Sequence, residues 1–343
     1  MNLREFAKRA LTAGVFYSGF AWACLWLKFR RRATVLMYHR VLPDDAHADS
    51  FSNDAIVVSP AVFERHMRFL ARFCNPLSAD ELGAVLRGEK AWPARACVVT
   101  FDDGWYDNHD HALPVLERHG VPAVVFVATG YVGTGSTFWQ EDLARLLFAA
   151  WKAGPDSRAL FEEYGAAHIT GLSADAARAA ILTLIGDIKA AAAGDIQDRL
   201  ERARAWVRER GIDAQGHGND RFMTWQEVAR LAASPVISVE SHAHTHVPLT
   251  WVDGDTVKRE LATSRAEIES RLARKARCLA YPNGNHDDGV VAAARVAGFE
   301  LAFTTNSGVV LPGDDPLRVR RINIGRRGTA TTAGFLCRLL GWW

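Results

Sequence analysis

Apolar positions along the chain fall into short, mostly unbroken runs, separated by segments with a helical repeat. Residues 33–38 (ATVLMY), 96–101 (ACVVTF), 123–127 (AVVFV), 236–240 (VISVE), 277–281 (RCLAY), 299–304 (FELAFT) and 318–324 (RVRRINI) are β-prone. Most are continuously apolar rather than alternating, which suits strands covered on both faces of a parallel sheet. The segments between them carry helix-start signals. Ser59-Pro60 offers a capping hydroxyl and a proline at the first helical position, ahead of Phe63, Met67 and Leu70. Ser78-x-x-Glu81 and Thr224-x-x-Glu227 have the form of capping boxes. Residues 111–118, 256–272 and 288–297 are further helical segments. Seven strands alternating with helices predict an α/β fold, a distorted (β/α)7-type parallel barrel.

Two stretches depart from this rhythm. Residues 131–220 hold no convincing strand, and 142–152, 174–193 and 196–209 read as helices. This is a helical insertion between two barrel strands, in the place where a lid or substrate wall is commonly built. At the N-terminus, residues 10–27 carry no charge. Arg4, Lys8 and Arg9 precede them, Lys28, Arg30, Arg31 and Arg32 follow, and Trp22, Trp26 and Phe29 cluster at one end. One helix of that length would be about 27 Å long, barely a membrane span. Three readings compete: a membrane anchor through residues 10–29, spanning or lying in the interface; a cleavable signal, with Ala21-Trp22-Ala23 ahead of Cys24; and a helix docked on the barrel. The larger basic cluster follows the run, which favours the cytoplasmic face of a membrane over the extracytoplasmic side. The expected division is 1–32 for the hydrophobic helix and basic linker, 33–130 with 221–329 for the barrel, 131–220 for the insertion, and 330–343 for a C-terminal helix.

Composition narrows the function classes. Among 343 residues, 41 basic and 39 acidic side chains leave a formal charge of +2, without the basic excess of a nucleic-acid binder. Five cysteines, an odd number with no CxxC pair, argue against a disulfide framework and against a cysteine-based zinc site.

Polar residues collect at the strand ends. Tyr38-His39 end the first strand, Asp102-Asp103-Gly104 the second and Thr129 the third; residues 241–246 (SHAHTH) follow the fourth, and Tyr281-Pro282-Asn283-Gly284 the fifth. Thr305-Asn306 close the sixth, and the seventh carries Arg321 and Asn323. In a β/α barrel these ends share one rim, where active sites sit. Two adjacent carboxylates after an apolar strand repel each other unless a cation lies there: one can ligate a metal while the other serves as a base. Asp102-Asp103-Gly104 alone is equally consistent with a helix cap. The histidines add weight, because His242 and His246 stand four apart and a helical turn would aim both rings at one point, with His244 directed elsewhere. Imidazole with carboxylate oxygen suits zinc and neighbouring divalent metals. The 281–284 segment is a turn that could present a backbone N–H to an oxyanion. Trp139 is a candidate sugar platform or a packing residue of the insertion.

These motifs resemble the polysaccharide deacetylases. Residues 99–104 (VTFDDG) are similar to that family's first motif, (T/S)FDDG, and 242–246 (HAHTH) to its second, in which two histidines stand four apart. Residues 37–41 (MYHRV), 280–284 (AYPNG) and 222–225 (FMTW) match as well, so the resemblance covers about 33–130 and 222–325. It implies a divalent metal, commonly zinc, with cobalt, manganese, nickel or iron as alternatives, held by Asp103, His242 and His246. It implies Asp102 as general base toward the attacking water and the Asn283 N–H at the oxyanion, with Tyr281 in the substrate site. The substrate would be an N-acetylated amino sugar in a polysaccharide, oligosaccharide or glycolipid. Two departures stand out. Ala280 and Asn283 occupy the positions of an arginine and a tyrosine in the third motif, so Arg321 is the candidate to orient the base. No histidine follows His286, so the catalytic acid falls to His39 first and His286 second. Alternatives are a catalytically weak glycan-binding or scaffold protein, an amide hydrolase with a non-sugar substrate, and a two-histidine, one-carboxylate iron oxygenase.

Overall fold

The computed structural model describes residues 3–190, 196–214 and 220–342. These fall into two compact units, one of residues 1–44, 54–135 and 222–343, the other of residues 45–53 and 136–221.

In the larger unit seven parallel strands close into a barrel: β1 (Ala33–Tyr38), β2 (Ala96–Phe101), β3 (Ala123–Val127), β4 (Ile237–Ser241), β5 (Cys278–Ala280), β6 (Leu301–Ser307) and β7 (Val319–Asn323). Each pairs with its neighbour in sequence, and β1 closes the ring on both sides, with Ala33 opposite Ala96, Tyr38 opposite Phe101 and Leu36 opposite Ile322. The continuous apolar runs are explained by burial on both faces. Ala33, Val35, Ala96, Val98, Val124, Phe126, Cys278, Ala280, Leu301, Phe303 and Val319 pack in one interior cluster. Leu36, Tyr38, Cys97, Val99, Phe101, Val125 and Val127 point the other way, into a cluster shared with Phe63, Met67 and Leu70 of the helix Pro60–Phe73. Between β4 and β5 the ladder is short, and the Glu240 side chain completes it by accepting the backbone N–H groups of Arg277 and Cys278 at 2.8 and 2.7 Å. Burial pushes that carboxyl up to about 8 despite the two bonds.

Both capping boxes form, at Ser78/Glu81 and Thr224/Glu227. Ser59 precedes its helix in the cap conformation, but no hydrogen bond from the helix reaches its hydroxyl. The C-terminal helix Thr332–Leu339 is stapled to the barrel by His66, whose Nε2–H donates to Thr329 O and whose Nδ1 accepts from Tyr38 Oη, while its ring stacks on Phe335 at 3.9 Å. Burial drives this imidazole down to about 3, which keeps it neutral in that role.

The N-terminal run is not one helix. It breaks at Ser18-Gly19 into Leu3–Tyr17 and Phe20–Lys28, with the apolar parts of the two helices bent by 65°. Gly19 takes a left-handed φ of 80° at the break. No single described helix is long and apolar enough to cross a membrane. Ala21, Cys24 and Leu25 of the second helix are buried in the barrel's outer core, and Trp22 packs on Phe69 and Phe73.

The insertion forms its own small core from Leu143, Leu147, Phe161, Ile181, Leu200 and Val207 on the helices Trp139–Lys152, Arg158–Glu163, Ala174–Ala190 and Ile196–Glu209. Residues 191–193, read as helical from sequence, lie outside the described residues. Apart from residues 45–53, this unit begins at residue 136. The reason is local packing: Val132 is buried in the barrel's outer core, Tyr131 packs on Phe222, and Gly133 N–H donates to Met223 O.

Candidate active site

The C-terminal ends of the strands bring Asp102, Asp103, His242 and His246 together. Asp102 shares the inward register of Ala96 and Val98, so its side chain enters the top of the barrel. There it meets Arg321, which rises from β7. Arg321 Nη1 and Nη2 donate to the two Asp102 carboxylate oxygens, each at 2.7 Å. Arg321 Nε donates to Thr304 O and Nη1 also to Thr100 Oγ1. Both partners are buried, so this is no surface ion pair. Burial alone would raise the Asp102 carboxyl, but the Arg321 charge and hydrogen bonds, with His242 and His39 nearby, hold it below the usual carboxylate range.

Asp103 turns the chain. Its φ of 76° is left-handed, and the following Gly104 lies so close to Val127 that a side chain there would collide. Asp103 Oδ1 lies 3.4 Å from the Nε2 atoms of both His242 and His246. Its Oδ2 accepts the indole N–H of Trp105 at 3.0 Å. Burial again works against the charge, and the His242 hydrogen bond with the charges of His39 and His246 lowers the carboxyl well below its ordinary value. His242 moves oppositely: burial disfavours the imidazolium, but Asp103 and Asp102 raise it. Its Nδ1–H donates to Ala280 O at 2.7 Å, so in the neutral ring Nε2 is the nitrogen that offers a lone pair toward Asp103 and His246.

The histidine pair does not sit on a helical turn, as the spacing of four suggests. Residues 242–246 form a loop in which Ala243 (φ 60°) and His246 (φ 58°) are left-handed, and this brings the two rings to 4.8 Å between centroids. The loop is held from behind by Glu260, a buried carboxylate of the helix Gly254–Leu272. Glu260 accepts from the N–H groups of His244 and Thr245 at 2.9 and 2.7 Å and from Thr245 Oγ1 at 2.7 Å. His244 is directed away from the pair, as expected, with Nδ1 at 2.9 Å from Thr129 Oγ1.

One donor atom from each of Asp103, His242 and His246 lies within 4.8 Å of the others. A four-coordinate ion with bonds of ~2.0–2.2 Å separates its donors by roughly 3.4 Å, which is the distance from Asp103 Oδ1 to each histidine nitrogen. Two imidazole nitrogens, one fixed by a carbonyl behind it, and one carboxylate oxygen fit a divalent transition metal.

The remaining candidates are placed differently. His39 Nε2 stands 3.9 Å from Asp102 Oδ2, and its Nδ1 is enclosed without a hydrogen-bond partner among the described residues. Burial and the Arg321 charge push its imidazole down, although Asp103 and Asp102 oppose them. His286 is tied into its own turn, with Nδ1–H donating to Gly284 O and the ring stacked on Tyr281. Tyr281, expected to meet substrate, is fully buried, and its hydroxyl donates to Leu317 O. It holds the turn together rather than facing outward. Asn283 is exposed and left-handed (φ 56°) at the tip of that turn. Trp139 opens the first long helix of the helical unit and packs, half-buried, on that unit's core.

Trp105 was not legible as a site residue. Its ring lies between the Arg40 guanidinium (3.8 Å) and the Phe222 ring (4.3 Å), and Arg40 is in turn fixed by Asp107 at 2.9 Å. The signal available was an aromatic two residues past the paired aspartates. The indole N–H fixes one oxygen of Asp103 and frees the other for the histidines. Trp105→Phe keeps the packing and removes the hydrogen bond. A divalent ion held by Asp103 would bind roughly 10-fold more weakly, at the lower edge of what outer partners of metal ligands are worth. Competition with a chromogenic chelator measures this, and unchanged affinity would show that the indole only fills space.

Comparison with known proteins gives the class that the barrel and its rim define. The polysaccharide deacetylase family model matches residues 89–156 and 193–302, more than half of the chain. The chain belongs to the polysaccharide deacetylase family and is a hydrolase of that class. YxkH of Bacillus subtilis strain 168 is 21% identical over 311 residues, 89% of this chain and 77% of that protein. The poly-beta-1,6-N-acetyl-D-glucosamine N-deacetylase of Escherichia coli K12 is 32% identical over 82 residues, 23% of this chain and 12% of that one. Among solved structures, IcaB from Ammonifex degensii superposes with a TM-score of 0.58 at 20% identity, covering 89% of this chain and 97% of that one. The Streptococcus pyogenes deacetylase PplD gives a TM-score of 0.55 at 18% identity, covering 87% and 95%.

Proposed function

We propose that this protein removes N-acetyl groups from the amino sugars of a glycan by metal-dependent hydrolysis. The observation that carries the reading is the juxtaposition of two carboxylates with different partners: Asp103 faces two imidazole nitrogens at 3.4 Å, while Asp102, next in sequence, is gripped by Arg321. Asp103 Oδ1 and the Nε2 atoms of His242 and His246 would hold the ion. When bound, such an ion supplies a Lewis acid that polarises a carbonyl and acidifies water.

The chain's own residues supply the rest. Asp102 stays ionised because Arg321 neutralises it, and Arg321 also fixes the plane of the carboxylate. Asp102 therefore receives the proton as the water oxygen bonds to the acetamide carbon. The carbon–nitrogen bond then breaks, acetate leaves, and the sugar nitrogen takes up a proton. His39, 3.9 Å from Asp102, is the side chain placed to pass that proton on. Burial keeps it neutral at rest, so it acts as a carrier that must first be charged. The exposed turn at Asn283 offers its backbone to the developing oxyanion.

Acetate release from an N-acetylglucosamine oligomer tests the proposal. It should vanish on dialysis against a chelator and return with one divalent ion per chain. Release that survives complete metal removal would overturn it.

A further inference from the structure

We infer that the cavity between the N-terminal helix and the C-terminal segment is a binding site for the phosphate headgroups of an anionic phospholipid bilayer. The cavity has a volume of about 900 Å³. Lys8, Arg9, Arg326, Arg327 and Arg338 line it, together with small and hydroxyl residues, and no carboxylate does. Arg326 and Arg327 each share one carboxylate outside it, Asp44 and Asp54. Lys8, Arg9 and Arg338 have no ion pair with a described residue. Arg326 Nη1 is enclosed with no hydrogen-bond partner among the described residues. Burial also lowers Arg338, as expected for a guanidinium without a counter-charge.

The adjoining surface of the two N-terminal helices argues for a bilayer rather than a soluble phosphate. An apolar groove of about 660 Å³ runs along the bend at Gly19, lined by Leu11, Gly14, Val15, Phe20 and Ala23. Phe6, Leu11, Phe20 and Leu27 are each more than half exposed. A helix with cations on one side and large apolar side chains on another lies in a membrane interface, its cations at headgroup level. Because the second helix is packed on the barrel, such a surface would hold the body against the membrane without a span. The segment from Arg326 to Thr331 follows the C-terminal end of β7, the same end of the barrel at which β2 leads into Asp102 and Asp103, so the rim would lie near the lipid surface. The inference does not rest on the deacetylase reading, since its readout is binding alone.

Flotation of the full chain with vesicles tests it. The chain should bind vesicles of phosphatidylcholine with 30% phosphatidylglycerol at least tenfold more tightly than phosphatidylcholine alone. The pair Arg9→Gln with Arg338→Gln should weaken this by roughly 30-fold, from about 1 kcal/mol per basic side chain at an anionic surface. Lys8→Gln with Arg9→Gln, both at exposed positions, is the second variant should Arg338 prove necessary for folding, and should give a similar loss. Arg208→Gln with Arg230→Gln, exposed cations elsewhere, should change binding less than twofold. Equal losses in the cavity and control pairs would overturn the site in favour of diffuse charge. Equal binding to neutral vesicles would reduce it to apolar adhesion. Displacement by 10 mM inorganic phosphate, but not by sodium chloride of equal ionic strength, would mark a soluble-anion site and refute the lipid assignment.

Discussion

Asp102→Asn is expected to lower kcat by roughly 10³-fold while leaving metal bound, the range typical of removing a general base. The amide keeps the shape of the carboxylate but takes no proton. It also turns one end of a doubly bonded pair into an N–H2 group facing the Arg321 guanidinium. Because both residues are buried, the uncompensated Arg321 charge should destabilise the fold by about 3–5 kcal/mol. The variant therefore needs metal content and thermal unfolding measured alongside turnover. Intact folding and metal with lost turnover assign the proton transfer to Asp102. Turnover at the wild-type rate would remove Asp102 from the chemistry altogether.

Asp103→Ala is expected to lose metal and activity together. It deletes one of three donors and leaves His242 and His246 facing each other without a charge between them. Metal affinity should fall by more than ~100-fold, beyond the effect of losing an outer hydrogen bond such as that of Trp105. The contrast between the two aspartates is the useful part, since adjacent residues should fail in different ways: one keeps the ion and loses the base, the other loses the ion. Equilibrium dialysis with zinc, followed by acetate release on the same sample, separates them. If Asp103→Ala retained one tightly bound zinc per chain, the triad would be wrong.

Much of the barrel was legible because its strands are hydrophobic on both faces, which points to a helix-covered parallel sheet, and their number pointed to a barrel. The rim followed from it, since the strand ends fix which polar residues converge. Arg321 could be suggested from sequence only as a substitute for an arginine missing at position 280. Its closeness to Asp102 depends on barrel closure, which sets β7 beside β1 and β1 beside β2. The histidine pair was found by its spacing, but for a reason the backbone does not obey. A helical turn and a loop with left-handed residues at 243 and 246 both bring the rings together, and spacing alone cannot separate them. Trp105 and Glu260 were missed because each acts through a hydrogen bond to another residue, and neither stands at a strand end. The N-terminal run was less legible. Hydropathy reports how greasy a segment is, not which parts of it the barrel covers, and here residues 21, 24 and 25 are buried on the barrel while Leu11, Phe20 and Leu27 stay exposed.

The account stands on one cation being shared by Asp103, His242 and His246. Anomalous diffraction at the zinc absorption edge, from crystals grown with one equivalent of zinc, tests this directly. A single strong peak within bonding reach of Asp103 Oδ1 and the Nε2 atoms of His242 and His246 is the predicted result. No peak there, with zinc found only at surface carboxylates, would contradict it.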